Sequence, residues 1–181
     1  MSETPFFFQR EEALLFGFLH QPDTNSPRTA FLMTHPFGEE KLWSHRVFVS
    51  FARALAMRGF CVMRFDYQGA GDSSGDTSTV SLSTYVDDLQ RATEVLAERC
   101  PSLERIGLVG LRLGATIGAK VCENARSDLL RESPLILWDP ILDGEKYFQE
   151  LLRVNLGTQL AVYGKVRNTR EDLQARLHEG G

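Results

Sequence analysis

The amino-acid sequence predicts an α/β protein with a mostly parallel sheet covered by helices. Three observations lead to this fold class. Short apolar runs are bounded by turn residues, stretches with helical periodicity separate those runs, and strands and helices alternate from residue 29 onward. Such units give parallel strands joined by right-handed crossovers. Functional groups are therefore expected in the loops after the carboxyl ends of the strands.

The predicted elements follow in chain order. The first two apolar runs are close enough to form an antiparallel pair, and each later strand is a run of residues typical of buried strands. Helices are assigned from apolar residues on one face and from glycine or acidic residues near their ends. The predicted strands are 6–8, 13–20, 29–34, 60–65, 105–109 and 133–138, and the predicted helical segments are 43–58, 81–99, 115–131 and 144–181.

Composition excludes several classes of function. The chain has 181 residues, of which 43% are hydrophobic, enough for one packed domain. A net charge of −4 with scattered basic residues gives no reason to bind nucleic acid or an anionic membrane surface. No apolar run approaches the roughly 20 residues of a membrane span, and the amino terminus lacks the basic region of a signal peptide.

The three cysteines favour a cytoplasmic location. Cys61, Cys100 and Cys122 are odd in number, widely spaced and without a metal-ligand pattern. This usage is typical of reduced, mostly buried thiols. No metal or cofactor is expected.

Four loops after predicted strands carry the polar and glycine residues of interest: HPFGEE, DYQGAGDSSG, GLRLG and WDPILDG. The third has the glycine spacing of the G-x-S-x-G turn, in which a nucleophilic serine sits between a strand and a helix. Here Gly110 and Gly114 are in place, but the central residue is Arg112. A guanidinium stays protonated and has no lone pair, so Arg112 cannot act as a nucleophile.

In their order and spacing these loops resemble the α/β-hydrolase superfamily, and more narrowly its serine aminopeptidase-like lysophospholipase and esterase branch. The resemblance covers residues 13–163 and rests on HPFGEE, FDYQGAGDSSG and GLVGLRLGA. HPF-x-EE, GLR-x-G and WDP-x-x-DG together are also similar to a subgroup labelled as hydrolases of the exosortase system in exopolysaccharide-producing bacteria. The resemblance implies a three-layer sandwich and the hydrolysis of esters, thioesters or peptides.

The resemblance also implies donors for an oxyanion. By position these are the backbone amides of Phe37 or Gly38 and of Leu113. His35 either belongs to this loop geometry or is a hydrogen-bonded residue of a strand-ending turn.

The glycine-rich loop after the fourth strand has two interpretations. Phosphate binding is disfavoured, since the loop lacks a P-loop lysine and a full G-x-G-x-x-G pattern. The favoured interpretation is a structural loop in which Asp72 and Ser73 cap backbone amides at the mouth of the site, as in the family.

Arg112 has two possible roles. It could bind a carboxylate or phosphate at a helix amino terminus, or it could pair with Asp139, Asp143 or Glu39 and close the pocket. The second role is favoured, because a buried cation must be compensated.

A complete triad cannot be assembled from this sequence. After Arg112 the only histidine is His178, in a polar terminal segment, and the WDP aspartate could equally be a capping residue. Another nucleophile, such as Ser73, Ser74 or Cys122, is a weaker option.

The organisation predicted from these features is a core over 1–143 and a helical segment over 144–181 that resembles the start of a lid. The core looks truncated before the last strands of the superfamily fold, which would expose a sheet edge and favour self-association. We therefore expect a hydrolase-family protein without serine-type catalysis. The alternative is a binding or scaffolding module that holds a small anionic or acyl ligand near Arg112.

Overall fold

The computed structural model describes residues 1–23, 26–125 and 127–178, excluding the side chains of residues 177 and 178. The chain divides into two compact units, Met1–Pro140 and Ile141–Gly181. The predicted division after residue 143 remains a prediction.

The first unit is built on one six-stranded sheet. Its strand order is β1-β2-β4-β3-β5-β6. β4, β3, β5 and β6 are parallel to one another, whereas β2 is antiparallel to both β1 and β4, so the predicted mostly parallel sheet and amino-terminal pair are confirmed. The strands are β1 (Ser2–Arg10), β2 (Ala13–Gln21), β3 (Thr29–Thr34), β4 (Cys61–Phe65), β5 (Arg105–Leu111) and β6 (Leu135–Trp138).

Among the described residues of the first unit there are four α-helices, α1 (Glu39–Met57), α2 (Leu82–Arg99), α3 (Leu113–Glu123) and α4 (Asp128–Arg131), and a short 3₁₀ helix at Thr77–Thr79. The prediction of one helix over 115–131 is wrong. α3 ends at Glu123 with Asn124 as its C-cap, and Ser127 begins α4 by accepting a hydrogen bond from the Leu129 amide. Asn and Ser favour such helix ends, because their short side chains hydrogen-bond nearby backbone groups.

Two apolar cores lie on opposite faces of the sheet and give the three layers expected of this fold class. One packs α1 against the sheet, with Phe48 and Ala52 in the same buried cluster as Met33 and Val109. The other packs α2 and α3 against the opposite face, with Leu89 and Ile117 among its buried residues. Successive side chains of β3 and β5 enter the two cores alternately, as expected for strands covered on both sides.

The second unit consists of α5 (Gly144–Tyr163) and α6 (Arg170–His178). Asp143 caps α5 by accepting a hydrogen bond from the Lys146 amide at 3.0 Å, and Gly164 ends the helix in the left-handed conformation. Within the described residues, no helix is long and apolar enough to cross a membrane.

Candidate functional site

A sharp turn joins β5 to α3 at Arg112. Its backbone has φ 53° and ψ −122°, a conformation that side-chain-bearing residues rarely adopt. The flanking glycines permit this turn. A Cβ on Gly110 would lie 2.5 Å from the Ala115 nitrogen, and one on Gly114 would lie 2.5 Å from the His35 carbonyl oxygen. The architecture of a nucleophile turn is thus present without the nucleophile.

The Arg112 guanidinium is held between two carboxylates. Its Nε donates to Glu40 at 3.1 Å and its Nη1 donates to Asp139 at 3.2 Å, while its backbone amide donates to the Trp138 carbonyl at 3.0 Å. Pairing with Asp139 was expected, but the glutamate partner is Glu40 and not Glu39. Arg112 therefore links the turn to α1 and to the end of β6.

A cavity of about 230 Å³ lies beside this turn. The residues that line it come from the loops after β3 and β4 and from the first turns of α1, α2 and α3. Most of the walls are apolar, and Lys41 and His35 are the basic side chains among the lining residues. The lining residues are His35, Pro36, Phe37, Gly38, Lys41, Leu42, Tyr67, Gly69, Ala70, Gly71, Thr77, Tyr85, Leu113 and Ile117.

The three predicted oxyanion donors line this same cavity. Within the described part of the chain, the backbone amides of Phe37, Gly38 and Leu113 donate no hydrogen bond to a protein acceptor. Leu113 is the first residue of α3 and Gly38 is the N-cap of α1, so the amides of these two residues belong to the unpaired donors of helix starts. Such amides favour a partly or fully negative oxygen.

His35 is a wall residue whose two ring nitrogens are both engaged. Nδ1 donates to the Pro36 carbonyl at 2.7 Å, and Nε2 accepts from the Tyr67 amide at 3.4 Å. Burial first, and the nearby Lys41 charge second, lower the pKa of His35 to about 4. The ring is therefore neutral at pH 7, and this arrangement suits a structural role, with no proton transfer to a ligand.

Asp66 organises the glycine-rich loop after β4. Its carboxylate accepts from Lys41 at 2.7 Å and from the Asp72 amide at 3.0 Å. Gly71 lies so close that a Cβ there would collide with both the Asp66 carboxylate and the Lys41 amine. This pair was missed by sequence reasoning, although the position of Asp66 at a strand end was an available signal.

Asp72 and Ser73 are not among the residues that line the cavity. Ser73 does cap a backbone amide, since its hydroxyl accepts from Phe16 at 2.9 Å and donates to the Asp66 carbonyl at 2.6 Å. The Asp72 backbone amide donates to the Asp66 carboxylate, and the capping expected of the Asp72 side chain stays a prediction. A binding role for these two residues remains a prediction.

The remaining predicted site residues lie apart from the cavity walls. Asp139 has φ 47°, is mostly exposed and contacts Arg112. The Ser74 hydroxyl accepts from the Leu14 amide at 2.8 Å. Cys122 is half-buried in α3, and burial raises the pKa of its thiol, which disfavours a nucleophilic role. His178 has a side chain outside the described residues.

Several solved structures share this fold. A thermostable carboxyl esterase from Bacillus coagulans has a TM-score of 0.56 at 20% identity, over 69% of this chain and 42% of the esterase. The Pyrococcus furiosus esterase Pf2001 has a TM-score of 0.61 at 20% identity, over 82% of this chain and 56% of that one. XC6422 from Xanthomonas campestris, described as a serine hydrolase without lid, has a TM-score of 0.59 at 20% identity, over 82% of this chain and 78% of XC6422.

These likenesses and the strand-to-helix turn define the class of the protein, an α/β-hydrolase fold. The chain spans 42% of the length of the Bacillus esterase and 56% of that of Pf2001. The sequence model of the serine aminopeptidase family, S33, matches residues 25–178. The chain belongs to this family. No curated protein matches the sequence.

Proposed function

We propose that this chain binds a small acyl compound and does not hydrolyse it by serine chemistry. One observation carries the proposal: a guanidinium tied to Glu40 and Asp139 occupies the nucleophile position, while the amides of Phe37, Gly38 and Leu113 have no acceptor among the residues that the structure describes. A carbonyl or carboxylate oxygen fits the amides, and the apolar walls suit a short hydrocarbon tail.

The proposal has a direct test of ligand binding. Hexanoate and its neutral analogue hexanamide are titrated into ¹⁵N-labelled protein, and the amide resonances of Phe37, Gly38 and Leu113 are followed. Both compounds are expected to shift these resonances, because an amide donor accepts either a carboxylate or a carbonyl oxygen. If neither compound shifts them, the binding proposal is wrong.

A cavity-filling variant supplies a matched control. Ala70 lines the cavity, whereas Ala54 is a half-buried alanine of α1 outside it. Ala70→Phe is expected to weaken binding at least about tenfold by occupying the ligand volume, and Ala54→Phe to leave it within about twofold. Equal affinities for both variants, with folding verified by circular dichroism, would place the ligand elsewhere.

The second candidate function is an anion site on Arg112 itself. It is favoured by one observation, the 22% exposure of this side chain at the amino end of α3. It predicts that hexanoate binds while hexanamide does not, and that Arg112→Ala abolishes binding. The amide site predicts that hexanamide binding survives Arg112→Ala with little change.

The absence of serine chemistry is tested by fluorophosphonate labelling, which reports an activated serine whatever the substrate. No labelling is expected on folded protein, and Pf2001 esterase serves as the positive control. Stoichiometric labelling at one serine would show that the protein has an activated serine and would contradict the absence of serine chemistry.

The cellular location and the biological context of this binding function are also proposals. The reduced cysteines favour a cytoplasmic location, which fractionation of the native host would test. The resemblance to the exosortase-associated subgroup suggests exopolysaccharide-producing bacteria as the context.

A further inference from the structure

Two cysteines that are distant in sequence meet in the core of the first unit. The Sγ atoms of Cys61 and Cys100 are 2.8 Å apart, and both residues are buried and carry free thiols. Cys61 is the first residue of β4, and Cys100 is the C-cap of α2. The contact therefore joins a central strand to the end of a long helix.

The positions of both thiols are set by surrounding structure. Cys61 pairs with Ala30 of β3 within the parallel ladder. The Cys100 amide donates to the Leu96 carbonyl at 3.1 Å, and its own carbonyl accepts from the Leu103 amide at 3.1 Å. Because a disulfide has an S–S length of about 2.05 Å, the sulfur atoms need to approach by only roughly 0.8 Å to bond.

We propose that Cys61 and Cys100 form a peroxide-oxidisable pair that closes to an intramolecular disulfide. The Cys100 thiolate attacks one oxygen of hydrogen peroxide and expels hydroxide, which leaves a sulfenic acid on Cys100. Cys61 then loses its proton and attacks that sulfur, and the sulfenic hydroxyl leaves as water. In total two thiols and one peroxide give one disulfide and two waters.

The chemistry of the pair supports this order of events. The hydrogen bond from Cys61 lowers the pKa of the Cys100 thiol, and the neighbouring Arg99 charge lowers it further. The same hydrogen bond raises the pKa of Cys61. Cys100 is 5% exposed whereas Cys61 is fully buried, so Cys100 is also the thiol that an oxidant reaches first.

A Cys61–Cys100 disulfide would link the carboxyl end of α2 covalently to the start of β4. α2 carries Tyr85, which lines the cavity beside the turn, at the opposite end of the helix from Cys100. The bond would also close a chain segment whose ends are separated by 39 positions in sequence. Constraining such a segment in the unfolded chain predicts a rise in melting temperature on the order of 10 °C.

The test uses the full chain. Folded protein is treated with hydrogen peroxide, then denatured and alkylated with N-ethylmaleimide, and its intact mass and tryptic peptides are measured. We expect alkylation of Cys122 only, and one crosslinked species joining the Cys61 and Cys100 peptides. The protein before alkylation should be about 2 Da lighter than the reduced form. Three alkylated cysteines, or a crosslink through Cys122, would overturn the proposal.

Two further measurements separate this pair from general oxidation. Cys122→Ser is expected to form the same crosslink, whereas Cys100→Ser is expected to form none. In the unmodified sequence, the rise in melting temperature after peroxide should disappear when a phosphine reductant is added. A crosslink that forms without any change in melting temperature would contradict the fastening of α2.

Discussion

The backbone of Arg112 keeps a sharp strand-to-helix turn with an arginine at its central position. A residue with a side chain at φ 53° is strained by roughly 1–3 kcal/mol, and this strain must be offset by surrounding contacts. Here the Trp138 carbonyl holds the backbone amide, and Glu40 and Asp139 hold the guanidinium. The ion pairs thus offer one physical reason why arginine is tolerated at this position.

Gly110 in the turn and Gly118 in α3 are expected to respond very differently to replacement by alanine. Gly110→Ala places a Cβ against the backbone of Ala115, where nothing can move aside, and should destabilise the fold by about 3 kcal/mol or more. Gly118→Ala, inside α3, meets its nearest atom at 3.8 Å and should stabilise it by about 0.5–1 kcal/mol. Urea unfolding of both variants checks the prediction, and equal effects would contradict the close approach at Gly110.

His35 predicts a pH dependence of stability. Its folded-state pKa of about 4 lies below the unfolded value of 6.5, so folding favours the neutral ring. The resulting stabilisation is fully present above pH 6.5 and is lost as the pH falls toward 4, by at most about 3 kcal/mol. The free energy of unfolding should therefore decrease over this window more steeply in the unmodified protein than in His35→Asn.

A second readout isolates the imidazole from the carboxyl groups that titrate at low pH. The Cε1 proton resonance of His35 should show no titration midpoint between pH 5 and 8 in the folded protein. A midpoint near 6.5 would mean that burial and Lys41 do not lower the pKa of His35 and would contradict its structural role.

At the scale of the elements, α2 begins with a reciprocal cap that can be tested separately. The Ser81 hydroxyl accepts from the Thr84 amide at 3.3 Å, and the Thr84 hydroxyl accepts from the Ser81 amide at 3.2 Å. Ser81→Ala should destabilise the protein by about 1 kcal/mol in thermal or urea unfolding. Ser50→Ala, at an exposed position inside α1, should be neutral or slightly stabilising.

The strands were predictable because their apolar runs are short and clearly bounded. The strand over 29–34 was predicted with its observed bounds, and 13–20 was one residue short. The start of α1 was placed four positions late, because Glu39 and Glu40 were assigned to the preceding loop although acidic residues favour a first helical turn. Helix breaks such as the one at Asn124 depend on side-chain hydrogen bonds, which periodicity alone does not reveal.

The site was predictable where it depends on position along the chain and not where it depends on packing. The family resemblance directed attention to Phe37 or Gly38 and to Leu113, which follow strand ends and line one cavity, and their role as oxyanion donors stays a prediction. The choice of Glu40 over Glu39 follows from helix rotation, since consecutive residues point about 100° apart. The contact of Cys61 with Cys100 depends on how α2 crosses the sheet, for which their separation in sequence gives no signal.

For the whole molecule, the two edges of the sheet differ in a way that predicts self-association. β1 carries Glu3, Pro5 and Arg10, which discourage strand addition. β6 consists of four apolar residues, each between 37% and 48% exposed, and among the described strands it pairs with β5 alone. We expect concentration-dependent dimers in sedimentation velocity, formed through this edge.

A charge placed on β6 should weaken that association. Ile136→Lys is expected to shift the protein toward monomer, because a lysine on an edge strand opposes pairing. Met57→Lys adds the same charge at an exposed apolar position at the end of α1 and serves as the control. A monomer at all concentrations in the unmodified protein would contradict the role of β6.

The strand order also determines when each part of the sheet can form during synthesis. β3 pairs with β4 and β5, and its first residue, Thr29, lies beside Arg105. A nascent chain that has released only β1, β2 and β3 therefore presents an apolar strand with no partner. The parallel centre can close only after β5 has left the ribosome, so translation speed and chaperone access should govern the yield of this protein more than its final stability does.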